Sequence, residues 1–177
     1  MNLSKIEIVK AKLSDIDKLQ LLGERTFFES FSSQNTAEDM ENYLSENFNR
    51  EKILSELDNP ESEFYLAKIQ RANVGYLKLN FGSAQTDIKD QNSIEIERIY
   101  VLSNYQGNKI GQVLYNQALQ IANERNALYI WLGVWEKNLG AIRFYKKIGF
   151  EEFGRHDFVL GYDVQTDVIM KLKISRL

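Results

Sequence analysis

The segment YQGNKIG, residues 105–111, combines residue types that can bind an anion. It follows an apolar run that favours a strand, and a run with helical periodicity begins within it. The first backbone N–H groups of a helix have no partner inside the helix and point outward with the positive end of its dipole. Gly107 and Gly111 let the main chain approach a pyrophosphate closely. Gln106 adds an amide donor and Lys109 a positive charge. The loop therefore predicts a phosphate site, although an ordinary strand-to-helix turn could contain the same glycines.

Two carboxylates lie two positions apart in IEIERIYVL, residues 94–102. Side chains alternate along a strand, so Glu95 and Glu97 share one face, with Ile99 and Val101, if no bulge intervenes. Buried carboxylates are costly unless they are used or paired, and crowding raises the pKa of at least one of them. This pattern favours a proton acceptor or a cation binder. The alternative is neutralisation by cations across the sheet, for which the candidates are Arg98, Lys78 and Lys68.

The absence of cysteine excludes a thiolate metal site, a cysteine nucleophile and a disulfide framework. His156 is the single histidine, so a histidine metal cluster is excluded and a Ser-His-Asp triad could use this residue alone. We therefore predict no metal. A lone histidine is more often structural, and the alternative for His156 is a second titratable group near the site.

Charge and composition limit the class of protein. The formal net charge of −3 and the pI near 5.4 argue against a nucleic-acid partner. The first residues, MNLSKIEIVKAKLSD, contain no apolar stretch long enough for a signal peptide or a membrane span. We predict a cytoplasmic protein with no membrane association. Its length suits a single domain over residues 1–177.

Hydrophobic periodicity predicts an α/β chain with a mixed sheet, of the α+β kind. The predicted strands are 6–11, two within 62–82, 94–102, 128–135, 150–160 and 165–174. The predicted helices are 15–30, two pieces within 36–58, one from the phosphate loop to about 125, and 137–149. The predicted helix N-caps are Ser14, Thr36 and Asn49. A polar loop is predicted over 83–93.

A second motif follows the loop in WLGVWEKNLGAIRFYKKIGFEE. The pattern N-x-x-A-x-x-F-Y-x-x-x-G-F is matched by Asn138, Ala141, Phe144, Tyr145, Gly149 and Phe150. With the loop, whose Gln106, Lys109 and Gly111 follow a Q/R-x-x-G-x-G/A pattern, the chain from Ile6 to Ile174 resembles the GCN5-related N-acetyltransferase (GNAT) family. Lys109 is a departure, because the family usually has glycine there. The resemblance implies a mostly antiparallel central sheet, splayed at two parallel strands and flanked by helices.

The resemblance also implies a reaction, which is acetyl transfer from acetyl-CoA, as cosubstrate, directly to a primary amine. Tyr145 is then the acid that reaches the sulfur of coenzyme A, and Glu97 is our prediction for the base, with Glu95 or water alone as alternatives. The implied contacts with the cofactor come from Ile99, Tyr100, Val101, Gln106, Gly107, Asn108, Lys109, Ile110, Gly111, Asn138 and Tyr145. A bulge in the 94–102 strand would splay it from 128–135 and open the slot for the pantetheine arm.

Several stretches resemble bacterial polyamine acetyltransferases of the PaiA type: TFFESF, NTAEDMENYL, SIEIERIYV, YIWLGVWEKN and QTDVIM. This implies spermidine or spermine as the small-molecule acceptor. Four acidic residues could attract a polycation or simply be solvated, namely Glu29, Glu38, Asp39 and Glu41. Alternative functions are acetylation of a protein or peptide and non-catalytic regulation through acetyl-CoA binding. The segment from Phe153 to Ile174 could also supply an edge strand for a homodimer.

Overall fold

A computed structural model describes residues 6–160 and 163–174 of the chain. The described strands, β1 to β7, are Ile6–Lys10, Ser62–Ile69, Ala72–Phe81, Ser93–Val101, Tyr129–Trp135, Glu151–Leu160 and Asp163–Lys173. The described α-helices, α1 to α5, are Ile16–Phe31, Ala37–Asn47, Arg50–Asp58, Ile110–Glu124 and Leu139–Lys147. The predicted elements are all present, with boundaries shifted by a few residues.

The strands form one seven-stranded sheet with the order β1-β2-β3-β4-β5-β7-β6. Its neighbours pair antiparallel except β4 and β5, which are parallel and are joined through helix α4. The predicted mixed sheet with two parallel strands is therefore confirmed. Strand β6 lies at one edge of the sheet, so pairing of this edge in a homodimer stays a prediction.

Helices pack on both faces of the sheet and divide the core into two clusters. One cluster joins α4 and α5 to the sheet through side chains such as Leu114, Ala118 and Tyr145. The other joins α1, α2 and α3 to the opposite face through Leu19, Met40 and Ile53. Below, these are called the α4 face and the α1 face. Because β5 is covered on both sides, its near-continuous apolar run is explained.

The helix starts follow two of the three predicted caps. Thr36 accepts a hydrogen bond from the Asp39 amide and Asn49 accepts one from the Lys52 amide, as the capping patterns predicted. The prediction for Ser14 was wrong. This residue lies inside a short 3₁₀ turn, where the Asp15 carboxylate accepts from the Lys12 amide, and α1 begins only at Ile16.

The feature that shapes the site is the early end of β4–β5 pairing. The two strands pair only from Ser93 to Glu95 on β4, against Tyr129 to Trp131 on β5. Beyond Glu95, the register of β4 against β3 shifts between Lys78 and Leu79. This bulge bends β4 and twists it away from β5. The predicted splay is present, and it leaves an opening between the two strands.

The same bulge interrupts the regular alternation of side chains that the sequence predicts along β4. Glu95 and Glu97 lie on the α1 face, where both accept hydrogen bonds from Asn80. Ile99 and Val101 instead pack against the cluster of the α4 face. The four residues were predicted to share one face only if no bulge intervened; the bulge is present, and its extra residue reverses the alternation after Glu97.

Candidate active site

A cavity of about 1510 Å³ occupies the opening between β4 and β5. It extends from the first turn of α4 to a region between α1, α2 and strands β6 and β7. Its wall includes these residues among those predicted for the site: Glu97, Ile99, Tyr100, Val101, Gln106, Gly107, Lys109, Ile110, Gly111, Asn138 and Tyr145. Asn108 is not part of the wall. The structure thus gathers all but one of the predicted residues around one space, and their individual roles stay predictions.

The phosphate loop has the backbone shape that an anion site needs. Gly107 and Lys109 have left-handed backbones, with φ of 79° and 61°, and the first turn of α4 begins at Ile110. In the described part of the chain, the amides of Ile110 and Gly111 donate to no backbone carbonyl outside the helix and to no capping side chain. A Cβ at Gly107 or Gly111 would meet no atom within 4 Å. The loop therefore presents unpaired donors and open space, which fits a pyrophosphate.

Two amide side chains of the loop are used internally rather than aimed at the cavity. The Gln106 side-chain amide donates to the Val101 carbonyl at 3.1 Å. The Asn108 amide donates to the Tyr105 carbonyl at 3.0 Å, which explains its absence from the wall. These bonds stabilise the turn that holds Lys109 in its left-handed conformation. The predicted donor role of Gln106 would require its amide to leave Val101.

Strand β4 and the start of α5 form the middle of the cavity. Beyond Glu95, the side of β4 that faces the opening has no described strand beside it, so its backbone groups can pair with an extended ligand. Asn138 is the N-cap of α5, where its side-chain oxygen accepts from the Ala141 amide at 3.1 Å. Its side-chain nitrogen donates to none of the described residues, so it is available to a ligand.

Tyr145 lies in α5 and lines the cavity while most of its ring is buried. The ring packs against Phe144 and Phe150, at centroid distances of 5.3 and 5.4 Å. Burial raises the pKa of its phenol above the ordinary value. The hydroxyl therefore stays protonated at neutral pH, in the form that can donate a proton or a hydrogen bond.

Glu97 belongs to a network of two carboxylates and two cations on the α1 face. Its carboxylate contacts Lys78 at 2.5 Å and Arg98 at 3.1 Å, and Glu56 contacts the same two cations at 2.9 Å each. Burial opposes ionisation of Glu97, but attraction to Arg98 and Lys78 outweighs it and lowers its pKa to about 2. The predicted neutralisation by Arg98 and Lys78 is therefore present. In this paired state the carboxylate has little affinity for a proton.

Glu95 has the opposite electrostatic environment. It is buried, and its carboxylate accepts hydrogen bonds from the amide and hydroxyl of Thr86 at 2.8 and 2.5 Å and from Asn80 at 3.0 Å. Burial raises its pKa, and the hydrogen bonds from Thr86 and Asn80 offset this only in part. Its visible structural role is to hold Thr86, and with it the loop between β3 and β4.

An aromatic wall closes the cavity on the α1 side, and no short sequence motif contains its residues. The Phe31 ring lies 6.0 Å from Trp135, and the Tyr43 ring lies 5.6 Å from Phe158. These residues come from α1, α2, β5 and β6, so only the fold brings them together. Of the four acidic residues predicted to attract a polycation, Glu29, Glu38, Asp39 and Glu41, none lines the described cavity. The carboxylates that do line the cavity come from other parts of the fold, among them Asp87, Asp157 and Asp167.

His156 lies on β6 between the carboxylates of Asp87 and Asp167. Its Nδ1 is hydrogen-bonded to Asp87, and its Nε2 lies 3.6 Å from Asp167, its cross-strand neighbour on β7. All three residues line the cavity. Burial raises the pKa of Asp167, and attraction to His156 opposes the rise. The sequence could flag His156 only as a lone titratable group.

Within residues 6–160 and 163–174, no group of three or more histidine, aspartate or glutamate side chains has the arrangement of a metal site. The same part of the chain contains no helix that is both long and apolar enough to span a membrane.

The sequence profile of the Acetyltransferase (GNAT) family matches residues 25–150, and the chain belongs to this family. It is an acetyltransferase of the type that uses acetyl-CoA to acetylate an amine. The matched region includes the splayed strands, the phosphate loop and Tyr145.

Relatives cover nearly the whole chain. An uncharacterised N-acetyltransferase of Lactobacillus delbrueckii subsp. lactis is 37% identical over 166 residues, which are 94% of this chain and 96% of the relative. A spermidine N(1)-acetyltransferase of Thermoplasma acidophilum is 26% identical over 161 residues, covering 88% and 95%. The crystal structure of the PaiA N-acetyltransferase of Thermoplasma acidophilum with coenzyme A has a TM-score of 0.78 and 25% identity, covering 96% and 99%.

Proposed function

We propose that this acetyltransferase acetylates a primary amine group of a polyamine such as spermidine or spermine. The observation that carries the proposal is the composition of the cavity wall on the α1 side, which contains both aromatic rings and carboxylates. The carboxylates of the whole cavity are Glu56, Asp87, Glu95, Glu97, Asp157 and Asp167, and the cations are Lys52, Lys78, Arg98 and Lys109. Since Glu56 and Glu97 neutralise Lys78 and Arg98, the remaining excess near β6 and β7 is negative.

A flexible polycation suits this wall for two physical reasons. Ammonium groups are attracted by carboxylates such as Asp157 and Asp167, and they also interact favourably with the faces of aromatic rings. Methylene segments between the ammonium groups can pack on the rings of Phe31 and Trp135, which contact each other in the aromatic wall. Gln165 adds a buried side-chain oxygen with no partner among the described residues, and an amine can donate to it.

The cofactor end of the cavity would hold acetyl-CoA, which supplies an activated acetyl thioester when bound. The amides from Ile110 to Gln112 and the charge of Lys109 would bind the pyrophosphate. The open edge of β4, at Ile99 and Val101, would pair with the pantetheine arm. Tyr145 would donate a proton to the sulfur as it leaves.

The acceptor side must remove a proton, because an aliphatic ammonium group has a pKa near 10.4 and only its neutral form attacks. Glu97 remains our sequence-based candidate for this task. Its ion pairs with Lys78 and Arg98 make direct proton transfer to it unfavourable, whereas a role in organising the α1 face needs no change in its protonation.

The test is a thiol-release assay with acetyl-CoA and four amine classes: spermidine, spermine, an aminoglycoside and a basic peptide. We expect the highest kcat/KM with the polyamines, a KM that rises with salt, and a monoacetylated product by mass spectrometry. A monoamine of similar length, which lacks the second charge, serves as the control and should have a much higher KM. A higher kcat/KM with the peptide than with the polyamines would indicate a protein substrate instead. No thiol release with any amine would refute the proposal.

A further inference from the structure

We infer that His156 accepts the proton of the acceptor ammonium group, with Asp87 fixing its ring and Asp167 stabilising the imidazolium that forms. This inference rests on the proposed amine substrate. It assigns the proton acceptor to β6 rather than to Glu97 on β4. Imidazole is suited to the task because it gains and loses a proton near neutral pH.

The hydrogen bond to Asp87 sets the chemistry of the ring. The Asp87 carboxylate can only accept a hydrogen bond, so Nδ1–H is the donor and the neutral ring has its lone pair on Nε2. Nε2 lies 3.6 Å from Asp167, which is too long for a hydrogen bond. The lone pair is therefore not used by Asp167. When the ring gains a proton, the same carboxylate is close enough to stabilise the positive charge.

The loop that supplies Asp87 is held firmly, although its sequence is polar. The buried Gln85 accepts hydrogen bonds from the Trp131 indole and the Ser93 hydroxyl, both at 2.7 Å. The next residue, Thr86, is bound by Glu95 through its amide and its hydroxyl. Asp87 thus follows two anchored residues, and its carboxylate is directed to His156. Buried hydrogen bonds of this kind fix a side chain better than a solvated loop would.

Space for the amine is provided by Gly133 of β5. This residue is exposed although it lies in the middle of a central strand, between Trp131 and Trp135. A Cβ there would lie 3.5 Å from Cε1 and 3.6 Å from Nε2 of His156, and 3.3 Å from the Asp167 carboxylate. The edge of the imidazole ring therefore faces a gap at the splay, where the amine and the thioester would meet.

The charged groups around His156 leave it in an acidic environment. Asp87 faces it from the β3–β4 loop and Asp167 from β7, while β5 presents only Gly133. On its own strand, Asp157 lines the cavity, and Arg155 is paired with Glu136 and Glu152. From α2, the ring of Tyr43 reaches β6 at Phe158.

The proposed step balances as follows. His156 Nε2 takes one proton from the ammonium nitrogen, and the freed lone pair forms the C–N bond to the acetyl carbon. The C–S bond breaks, and the sulfur takes a proton from Tyr145. The nitrogen of the new C–N bond still carries a second proton, which the Tyr145 phenolate takes, directly or through water. The imidazolium then returns its proton to water, so the products are the amide, the free thiol of coenzyme A and one proton, and no further reactant is needed.

Kinetics give the first test, with His156→Gln compared with wild type across pH. We expect kcat/KM for the amine to fall about 100-fold near neutral pH and the shape of its pH profile to change, while the affinity for coenzyme A is unchanged. Asp87→Asn should lower the rate less than His156→Gln does. Glu152→Gln removes a carboxylate from the same strand as His156 but outside the cavity, and should keep the wild-type rate and profile. A wild-type rate and profile in His156→Gln would overturn the inference.

Nuclear magnetic resonance gives a second test that needs no turnover. Since the chain has one histidine, ring signals in ¹⁵N-histidine-labelled protein belong to His156. We expect the proton on Nδ1, and a shift of the Nε2 signal when spermidine is added to the protein saturated with coenzyme A. A proton on Nε2, or ring signals that do not change when the amine is added, would overturn the inference. Because this test uses the wild-type protein, it does not depend on the folding of His156→Gln. Wild-type protein with no amine-dependent thiol release would instead refute the proposed function.

Discussion

Glu97 and Arg98 are consecutive in the chain, yet their side chains lie on the same face of the sheet and contact each other at 3.1 Å. Regular alternation would place them on opposite faces. The bulge in β4 removes this separation, and the same bulge turns β4 away from β5. One irregularity therefore opens the cofactor slot and assembles the charge network beside it.

The first prediction concerns the stability of this network. Glu97→Gln leaves Lys78 and Arg98 with Glu56 as their remaining carboxylate, so an uncompensated positive charge stays partly buried. We expect the free energy of unfolding to fall by about 3 kcal/mol at pH 7. Arg155→Gln breaks exposed pairs with Glu136 and Glu152 and should cost less than about 1 kcal/mol. Chemical denaturation of both variants provides the comparison.

The difference in unfolding free energy between the wild type and Glu97→Gln depends on pH with a definite sign. The folded pKa of Glu97, about 2, lies below the usual glutamate value of 4.5. Its contribution is therefore complete above pH 4.5 and is lost as the pH falls through the folded value. The wild type should approach Glu97→Gln in stability as the pH falls from 5 towards 2. Equal stability of the two proteins at pH 7 would show that the network contributes nothing.

The second prediction separates the Tyr145 hydroxyl from its ring. Tyr145→Phe keeps the packing against Phe144 and Phe150 and removes only the proton donor. We expect kcat to fall about 100-fold, with unchanged affinity for coenzyme A and nearly unchanged stability. Tyr115→Phe is a matched control, because its ring also packs on Phe150, at 6.0 Å, but does not line the cavity. If both variants turn over like the wild type, Tyr145 is not the acid.

The sequence was informative where the chemistry is local. The loop from Gln106 to Gly111 and the helix containing Tyr145 are continuous motifs, so their residues could be named and the cavity collects them. Asn108 was the exception, because nothing in the motif reveals that its side chain bonds back to Tyr105. The elements themselves followed from periodicity, since long periodic segments bury one face.

Features that depend on register or on distant pairing could not be predicted. The resemblance implied a bulge in the 94–102 strand, but its position at Glu97 depends on how β3 pairs with β4, and one extra residue reverses every side chain beyond it. Asp87 lies 69 positions from His156 in the sequence. The polar composition of its loop is typical of a solvated connection and does not reveal that Gln85 accepts a hydrogen bond from Trp131. The aromatic wall likewise joins residues of four separate elements, and no short motif contains it.

The third prediction concerns Lys109, whose backbone is left-handed with φ of 61°. Asparagine tolerates this conformation, so Lys109→Asn removes the charge with little strain. We expect about 10-fold weaker binding of coenzyme A at low salt, and a smaller difference as salt rises, because a charge-assisted contact is lost and salt screens it. Lys109→Arg keeps the charge and should bind like the wild type. Calorimetry at two ionic strengths makes the measurement, and equal affinities at low salt would exclude a phosphate contact.

The fourth prediction tests the gap above Gly133. Gly133→Ala places a methyl group 3.3 Å from the Asp167 carboxylate and 3.5 Å from the His156 ring, in the space assigned to the amine. The 3.3 Å contact is tighter than ordinary van der Waals contact, so the Asp167 side chain must shift by a few tenths of an ångström, while alanine costs less backbone entropy than glycine. We therefore expect the free energy of unfolding to stay within about 1 kcal/mol of the wild type. We expect kcat/KM for the amine to fall about 10-fold, since a misplaced methyl group in a binding site costs 1 to 3 kcal/mol. Affinity for coenzyme A should not change.

Gly154→Ala is the control for Gly133→Ala, because Gly154 also lies in a strand but outside the cavity wall, and a Cβ there meets only the Ile169 side chain, at 3.6 Å. Its kinetics with the amine should match those of the wild type. Full activity in Gly133→Ala would mean that the amine does not approach across β5, and the acceptor route would then have to lie nearer to Glu97. A loss of coenzyme A binding in the same variant would assign the gap to the cofactor. The two measurements together therefore locate the meeting point of the substrates relative to His156.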